Sequence, residues 1–324
     1  MPAKCCLHSA RLQHEPLPVP RQRSTVHCHW ALPRTTFVKG QQPSLPGGWQ
    51  QRLATAAKFA RSRLEGDYDV DAFGFDPELN AAVLMPAALA LYRRWFRIQM
   101  RGLENIPAAG GALVVANHSG VLPLDAIMLQ AGIFAEHPQA RNLRVLGADM
   151  VYSLPVLATL ARRSGHARAD PEQALQLLGA GELVGVFPEG FKGIGKPFAE
   201  RYRLQRFGRG GFARTATQAG VPIIPCAIVG AEEIYPMIGN AEPVARALRL
   251  PYFPITPMFP WLGPVGAIPL PSKWIIEFSE PVQPPAQAAD EPDDDTVAKV
   301  ADQVRDTIQE RIDELVVERG AAFD

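Results

Sequence analysis

The chain has 324 residues, 47% of them hydrophobic, and its 33 basic residues balance 33 acidic ones. That length suits one large α/β domain or two modest ones with an ordinary packed core. A neutral chain has no global field to draw it to nucleic acid, and four cysteines (Cys5, Cys6, Cys28, Cys226) are too few for a disulfide framework, so a reducing compartment is expected.

Residues 1–48 are rich in Pro, Arg, His and Gln and lack periodicity, a composition that cannot bury enough apolar surface to offset the entropy of ordering. Disorder is expected there; a transit peptide or an upstream translation start fits the same composition. Residues 1–64 hold ten Lys or Arg against the single acid Glu15, whereas the chain from Ala286 on holds twelve acids and four bases. The basic leading end suits either an anionic membrane surface or a solvated tail. CC at 5–6 and HCH at 27–29 lack the paired CxxC or HxxxH spacing of a zinc site, and no metal is expected. No apolar run reaches the ~18 residues that span a bilayer, and no secretory hydrophobic segment opens the chain, which points to a soluble or peripheral protein.

A short amphipathic helix is expected over Trp49–Arg63, followed by the acidic link GDYDVDAFGFDPE. The segment LNAAVLMPAALALYRRWFRIQM, residues 79–100, is apolar first and then mixes Tyr92, Arg93, Arg94, Trp95, Phe96 and Arg97. Such a mixture suits the headgroup layer of a membrane and equally a helix packed on a domain. From here β and α patterns alternate: ALVVAN (112–117) as strand, LDAIMLQAGIFAEH (124–137) as helix, NLRVLGA (142–148) as strand and SLPVLATLARR (153–163) as helix. PEQALQLLGAG (171–181) reads as a helix with Asp170 as cap, Pro171 in the first turn and Gly179 or Gly181 as stop. LVGVFPEG (183–190) is a strand running into a loop, GGFARTATQAG (210–220) a helix, and PIIPCAIVG (222–230) and WIIEFS (274–279) are strands. The expected architecture is α/β: a mixed, largely parallel sheet flanked by helices, with catalytic loops at the strands' carboxyl ends. The stretch 248–271, rich in proline and aromatics, offers an apolar face that could dip into a membrane, line an acyl channel or cover the sheet. A linker over 281–295 precedes a C-terminal amphipathic helix marked by Val297, Val300, Ala301, Val304, Ile308, Ile312 and Leu315.

The chemistry begins at NHSGVLPLD, 117–125. In one continuous helix His118 and Asp125 would stand ~10 Å apart along the axis, too far to bond. Gly120 permits a turn and Pro123 is welcome only in a helix's first turn, so the helix should begin near 122–124, with Asp125 reaching back to the imidazole at the strand's end. Alternatively, Asp125 simply complements the helix dipole. VFPEG, 186–190, leaves its strand with Glu189 and Gly190 and is followed by Lys192, Lys196, Arg201, Arg203, Arg206 and Arg209, a stretch able to receive a phosphate or merely a solvated basic loop. VPIIP, 221–225, is a third apolar fragment.

NH…D, FPEG and VPIIP, in this order, resemble the glycerolipid acyltransferases that act on glycerol 3-phosphate and lysophosphatidic acid, over about residues 100–280. The resemblance implies a 101–280 acyltransferase domain behind a 49–100 helical segment, and residues 281–324 as linker and C-terminal helix. It implies transfer of a fatty acyl group from acyl-CoA or acyl carrier protein, as co-substrate and not cofactor, to a lyso-glycerophospholipid or glycerol phosphate. His118 matches the general base and Asp125 its orienting partner; Arg168, Glu189, Gly190 and Lys192 match the acceptor-binding blocks, Arg168 through the weak fragment GHAR. It further implies peripheral attachment to the cytoplasmic face of a membrane. Two features depart from the pattern: six residues separate His118 from Asp125 where four are usual, the extra pair being expected to loop out at Gly120, and Phe191 replaces a small hydroxyl residue. They leave room for a neutral acceptor such as a diacylglycerol, or for a catalytically silent lipid-binding relative. Ser119 lacks the GxSxG elbow of a serine hydrolase, and His137 and His166 are expected as surface or loop histidines.

Overall fold

The computed structural model describes residues 49–119, 122–248, 250–285 and 293–323. The expectations for residues 1–48, for the loop at Gly120 and for 286–292 of the linker lie outside them. The helix α1, Trp49–Glu65, is followed by a helical run over 77–95. In that run α-turns, α2 (Pro77–Leu79) and α3 (Met85–Ala90), alternate with π-turns at Asn80–Leu84 and Leu91–Trp95. Asp76 starts it, its side chain accepting from Leu79 N, with Pro77 in the first turn where a missing N–H costs nothing.

The remaining elements alternate as expected. In chain order they are β1 (Gln99–Arg101), β2 (Ala112–Ala116), α4 (Leu124–Glu136), β3 (Leu143–Gly147), α5 (Asp149–Ser153), α6 (Pro155–Arg163) and β4 (Ala167–Arg168). Then come α7 (Pro171–Gly179), β5 (Leu183–Val186), α8 (Phe191–Ile194), α9 (Gly211–Ala219), β6 (Ile223–Val229), β7 (Gly239–Asn240) and α10 (Glu242–Leu248). The chain closes with β8 (Pro254–Ile255), β9 (Ile275–Phe278) and the 26-residue α11 (Asp294–Arg319). Asp170 caps α7 by accepting from Glu172 N and Gln173 N. The described residues all fall in one compact unit, Gln42–Asp324.

Seven strands form one sheet in the order β1-β9-β6-β2-β5-β3-β4, parallel throughout except where β9 runs against β6. This is the mixed, largely parallel sheet expected. Alternate residues of the central strands feed two cores, because side chains point to opposite faces with a period of two. Ala112, Val114, Ala116, Ile224, Cys226 and Ile228 pack with α3 and α4, while Leu113, Val115, Ile223, Ala227 and Val229 pack with α7, α9 and α11. All seven apolar residues expected along the C-terminal helix are buried, so α11 belongs to the domain.

Candidate active site

β2 ends at Ala116, and the next residue is pinned to the neighbouring strand: Asn117 Nδ2 donates to Ile228 O at 2.9 Å and Asn117 Oδ1 accepts from Ile228 N at 2.7 Å. His118 is thereby held at the carboxyl end of the central strand. α4 begins only at Leu124, with Pro123 as its cap residue, so Asp125 lies in its first turn. Its Oδ2 stands 2.7 Å from His118 Nδ1, across a gap that a continuous helix could not close. The same oxygen accepts from Ser119 N at 2.8 Å, and Oδ1 accepts from Ala126 N at 2.8 Å. The carboxylate is fully buried and each of its oxygens is held by a backbone N–H, the condition under which a buried charge is tolerable. With Nδ1–H donating to Asp125, the lone pair of His118 sits on Nε2. The imidazole is 13% exposed and rests on the Phe187 ring, centroid to centroid 4.6 Å.

Glu189 is the second buried carboxylate. Its Oε1 accepts from His118 N at 2.9 Å and its Oε2 from Gln205 N at 2.7 Å, so FPEG clamps the backbone of the histidine to the loop over 195–205. Burial pushes its pKa up, against the pull of Lys196 and of the two amides. Gly190 has φ 54° and ψ −141°, a conformation that suits glycine and turns the chain into α8.

Behind this clamp lies a buried ion pair, Lys196 Nζ to Glu232 Oε1 at 3.0 Å. Lys196 also donates to Arg203 O, and Glu232 accepts from Tyr202 N. Burial raises the Glu232 pKa to about 7, with Lys196 opposing. The pair therefore braces the loop that carries Gln205.

The cations expected at the acceptor are exposed, outside the buried network of the dyad. Arg168 lies on β4, three strands from β2, roughly 14 Å away at ~4.8 Å per strand. Its Nη2 pairs with Asp149 at 2.7 Å, both side chains being more than half exposed. Lys192 is exposed, one residue past Phe191, which is itself 39% exposed at the rim. Ser119 is buried, with its hydroxyl 3.5 Å from Asp125. The two histidines expected at the surface or in loops lie just past helix ends: His137, after α4, is buried with its ring on Ile106 O, and His166, partly buried after α6, meets Gln130 Oε1 at 3.0 Å.

Three participants carried no readable signal. Gly193 lies directly under the histidine: a Cβ there would be 2.8 Å from Glu189 Cβ and 2.9 Å from His118 O. Gln205 supplies an amide whose partner is sixteen residues earlier. Tyr252 packs on Gly195, and burial, followed by the charge of Asp125, pushes its phenol up to about 12. No group of three or more metal-ligating side chains occurs among the described residues.

The family profile described as Acyltransferase matches residues 97–229, from the residues before β1 to the end of β6, and so takes in His118, Asp125, Glu189 and Gly190. An uncharacterized protein of Mycobacterium tuberculosis is 52% identical over 279 residues, spanning 86% of this chain and 78% of its own. The chain belongs to the acyltransferase family. A cattle protein described as a DGAT1/2-independent enzyme synthesizing storage lipids is 25% identical to this acyltransferase over 219 residues, 68% of this chain and 60% of its own. The crystal structure of a 1-acyl-sn-glycerophosphate acyltransferase from Thermotoga maritima aligns with TM-score 0.47 and 20% identity, covering 71% of this chain and 79% of that one.

Proposed function

We propose that this acyltransferase moves a fatty acyl group from an acyl thioester, carried by CoA or acyl carrier protein, to a glycerolipid hydroxyl, with His118 as general base and Asp125 as its orienting partner. The observation that carries this reading is the 2.7 Å contact between His118 Nδ1 and the buried Asp125 Oδ2, which leaves the lone pair on Nε2 of an imidazole 13% exposed. Nε2 takes the proton of the acceptor hydroxyl, whose oxygen attacks the thioester carbonyl. The tetrahedral intermediate expels the thiolate, which takes that proton from the imidazolium. Proton removal by a positioned base contributes typically ~10²–10⁴-fold.

The exposed basic residues after FPEG, Lys192, Arg201, Arg203, Arg206 and Arg209, support a lyso-glycerophospholipid or glycerol phosphate as acceptor. A neutral acceptor such as a diacylglycerol is favoured by a different observation: Arg168 is already paired with Asp149, and the apolar Phe191 occupies the rim beside Glu189. The test is thiol release from palmitoyl-CoA in detergent micelles with lysophosphatidic acid or with diacylglycerol, for wild type and His118→Ala. Turnover that survives His118→Ala would sink the proposed mechanism; the acceptor that supports wild-type turnover decides between the two readings.

A further inference from the structure

The sheet topology brings to one edge three apolar segments far apart in sequence. β2 and β6 both end near His118, and because β9 runs against β6 it starts where β6 finishes, Ile275 opposite Val229. β1 is parallel to β9, with Gln99 opposite Ile275. The segments leading into β1 and β9 therefore emerge at the edge that holds His118. Two hydrogen bonds join them: Trp95 Nε1 donates to Pro269 O at 2.9 Å and Arg97 Nη2 to Pro271 O at 3.0 Å. The third segment, α5 and α6, leaves the carboxyl end of β3, which is parallel to β2 through β5, and so rises at the same edge.

What these segments present is apolar. Trp261 is 72% exposed and Val265 56%; Ile268, whose N–H donates to Val265 O, and Trp95, bonded to Pro269, are exposed as well. α6 is turned opposite to an ordinary surface helix: it buries Ala158 and Ala161 and leaves Val156 81% and Leu160 48% exposed. Exposed arginines border the patches, Arg93 and Arg94 next to Trp95 and Arg162 at the end of α6. None of the helices among the described residues is long and apolar enough to cross a membrane.

We propose that this edge is the face on which the protein lies against an anionic lipid bilayer, with the Trp261 loop and α6 entering the boundary between headgroups and acyl chains. Separate aliphatic tips beside indoles, bordered by guanidinium groups, suit a deformable apolar medium under a negative layer. A protein partner would instead meet a continuous patch whose centre is depleted of charge. The proposal rests on the proposed function in one respect: a lipid acceptor then reaches His118 without leaving the layer that dissolves it.

The test is sedimentation of the full chain with vesicles of phosphatidylcholine alone and of equal parts phosphatidylcholine and phosphatidylglycerol. Thiol release with a short-chain, water-soluble thioester and acceptor is measured in parallel. Wild type is expected to bind the anionic vesicles more tightly and to lose part of that binding in high salt. The double variants Trp261→Asp/Val265→Asp and Val156→Asp/Leu160→Asp are each expected to lose about tenfold or more in partitioning, with turnover of the soluble substrates unchanged. Variants that bind like wild type, or a wild type that ignores both vesicles, would overturn the proposal. So would a wild-type dimer that the Trp261→Asp/Val265→Asp variant dissociates, because the face would then belong to a second copy. Expected vesicle binding from a protein without turnover on any thioester would support the docking face and reject the acyl-transfer reading.

Discussion

The turn after β2 and the outer strand β4 both sit at the carboxyl edge of the sheet, yet they are built in opposite ways. Around His118 the polar groups are committed: Asp125 accepts from the imidazole and two backbone amides, and Glu189 accepts from two more. Both carboxylates are buried. On β4, Arg168 meets its partner Asp149 in solvent, and Lys192, beyond the FPEG turn, stands exposed. A buried network whose members are all bonded holds each in one geometry, where misplacement is costly. The exposed cations stay in water, where an ion pair is worth little.

That contrast breaks most directly at the dyad. His118→Ala should lower thiol release by ~10²–10⁴-fold; a loss below about tenfold would mean another group takes the proton. Next comes the packing under the dyad. Gly193→Ala forces a Cβ into Glu189 and the His118 carbonyl, and should cost about 1–3 kcal/mol in denaturant unfolding together with much of the activity. An unchanged midpoint would show that α8 simply yields. Glu189→Gln replaces one acceptor oxygen by an NH₂ that faces a backbone N–H, and should cost a similar ~1–3 kcal/mol.

A smaller effect lies away from the site. Burial, with the Arg144 charge adding, holds His166 down to about 4 in the folded protein, against ~6.5 when unfolded. Between those two values the unfolded chain binds a proton that the folded chain does not. Stability contributed by this group is complete above about pH 6.5 and is lost as pH falls toward 4, by at most about 3 kcal/mol. The acid-induced drop in denaturation midpoint should be shallower in His166→Gln than in wild type; equal slopes would show that other groups govern it. The smallest change is expected at Lys192→Ala, which should raise KM for a phosphorylated acceptor by about tenfold and leave a neutral acceptor unaffected. Comparing the two acceptors in one assay separates the readings.

Much of the sheet was legible because its signals are local. Short continuous apolar runs marked β2, β6 and β9, Asp170 and Pro171 marked the start of α7, and seven apolar positions marked the buried side of α11. The strands that escaped notice, β1, β4, β7 and β8, are two or three residues long, too short for any period to show. His137 and His166 lie in loops as their flanks suggested, but nothing there announces that the first rests on Ile106 O or that the second meets Gln130.

By itself, the sequence determined where the central apolar strands run, where α4 had to start, and that His118 and Glu189 would follow strand ends with Asp125 in a helix's first turn, since apolar runs, capping and proline's missing N–H act within a few residues. Only the tertiary structure decided that Asp125 comes within 2.7 Å of His118, that Glu189 ties the histidine to Gln205, and that Gly193 is needed beneath them. It also decided that β9 is inverted, which brings the segment leading into it, bonded at Pro269 and Pro271 to Trp95 and Arg97, to the edge holding His118. Pairing between strands, and the closeness of side chains from separate loops, depend on how the two cores fill against the sheet, and no short stretch of sequence encodes that packing.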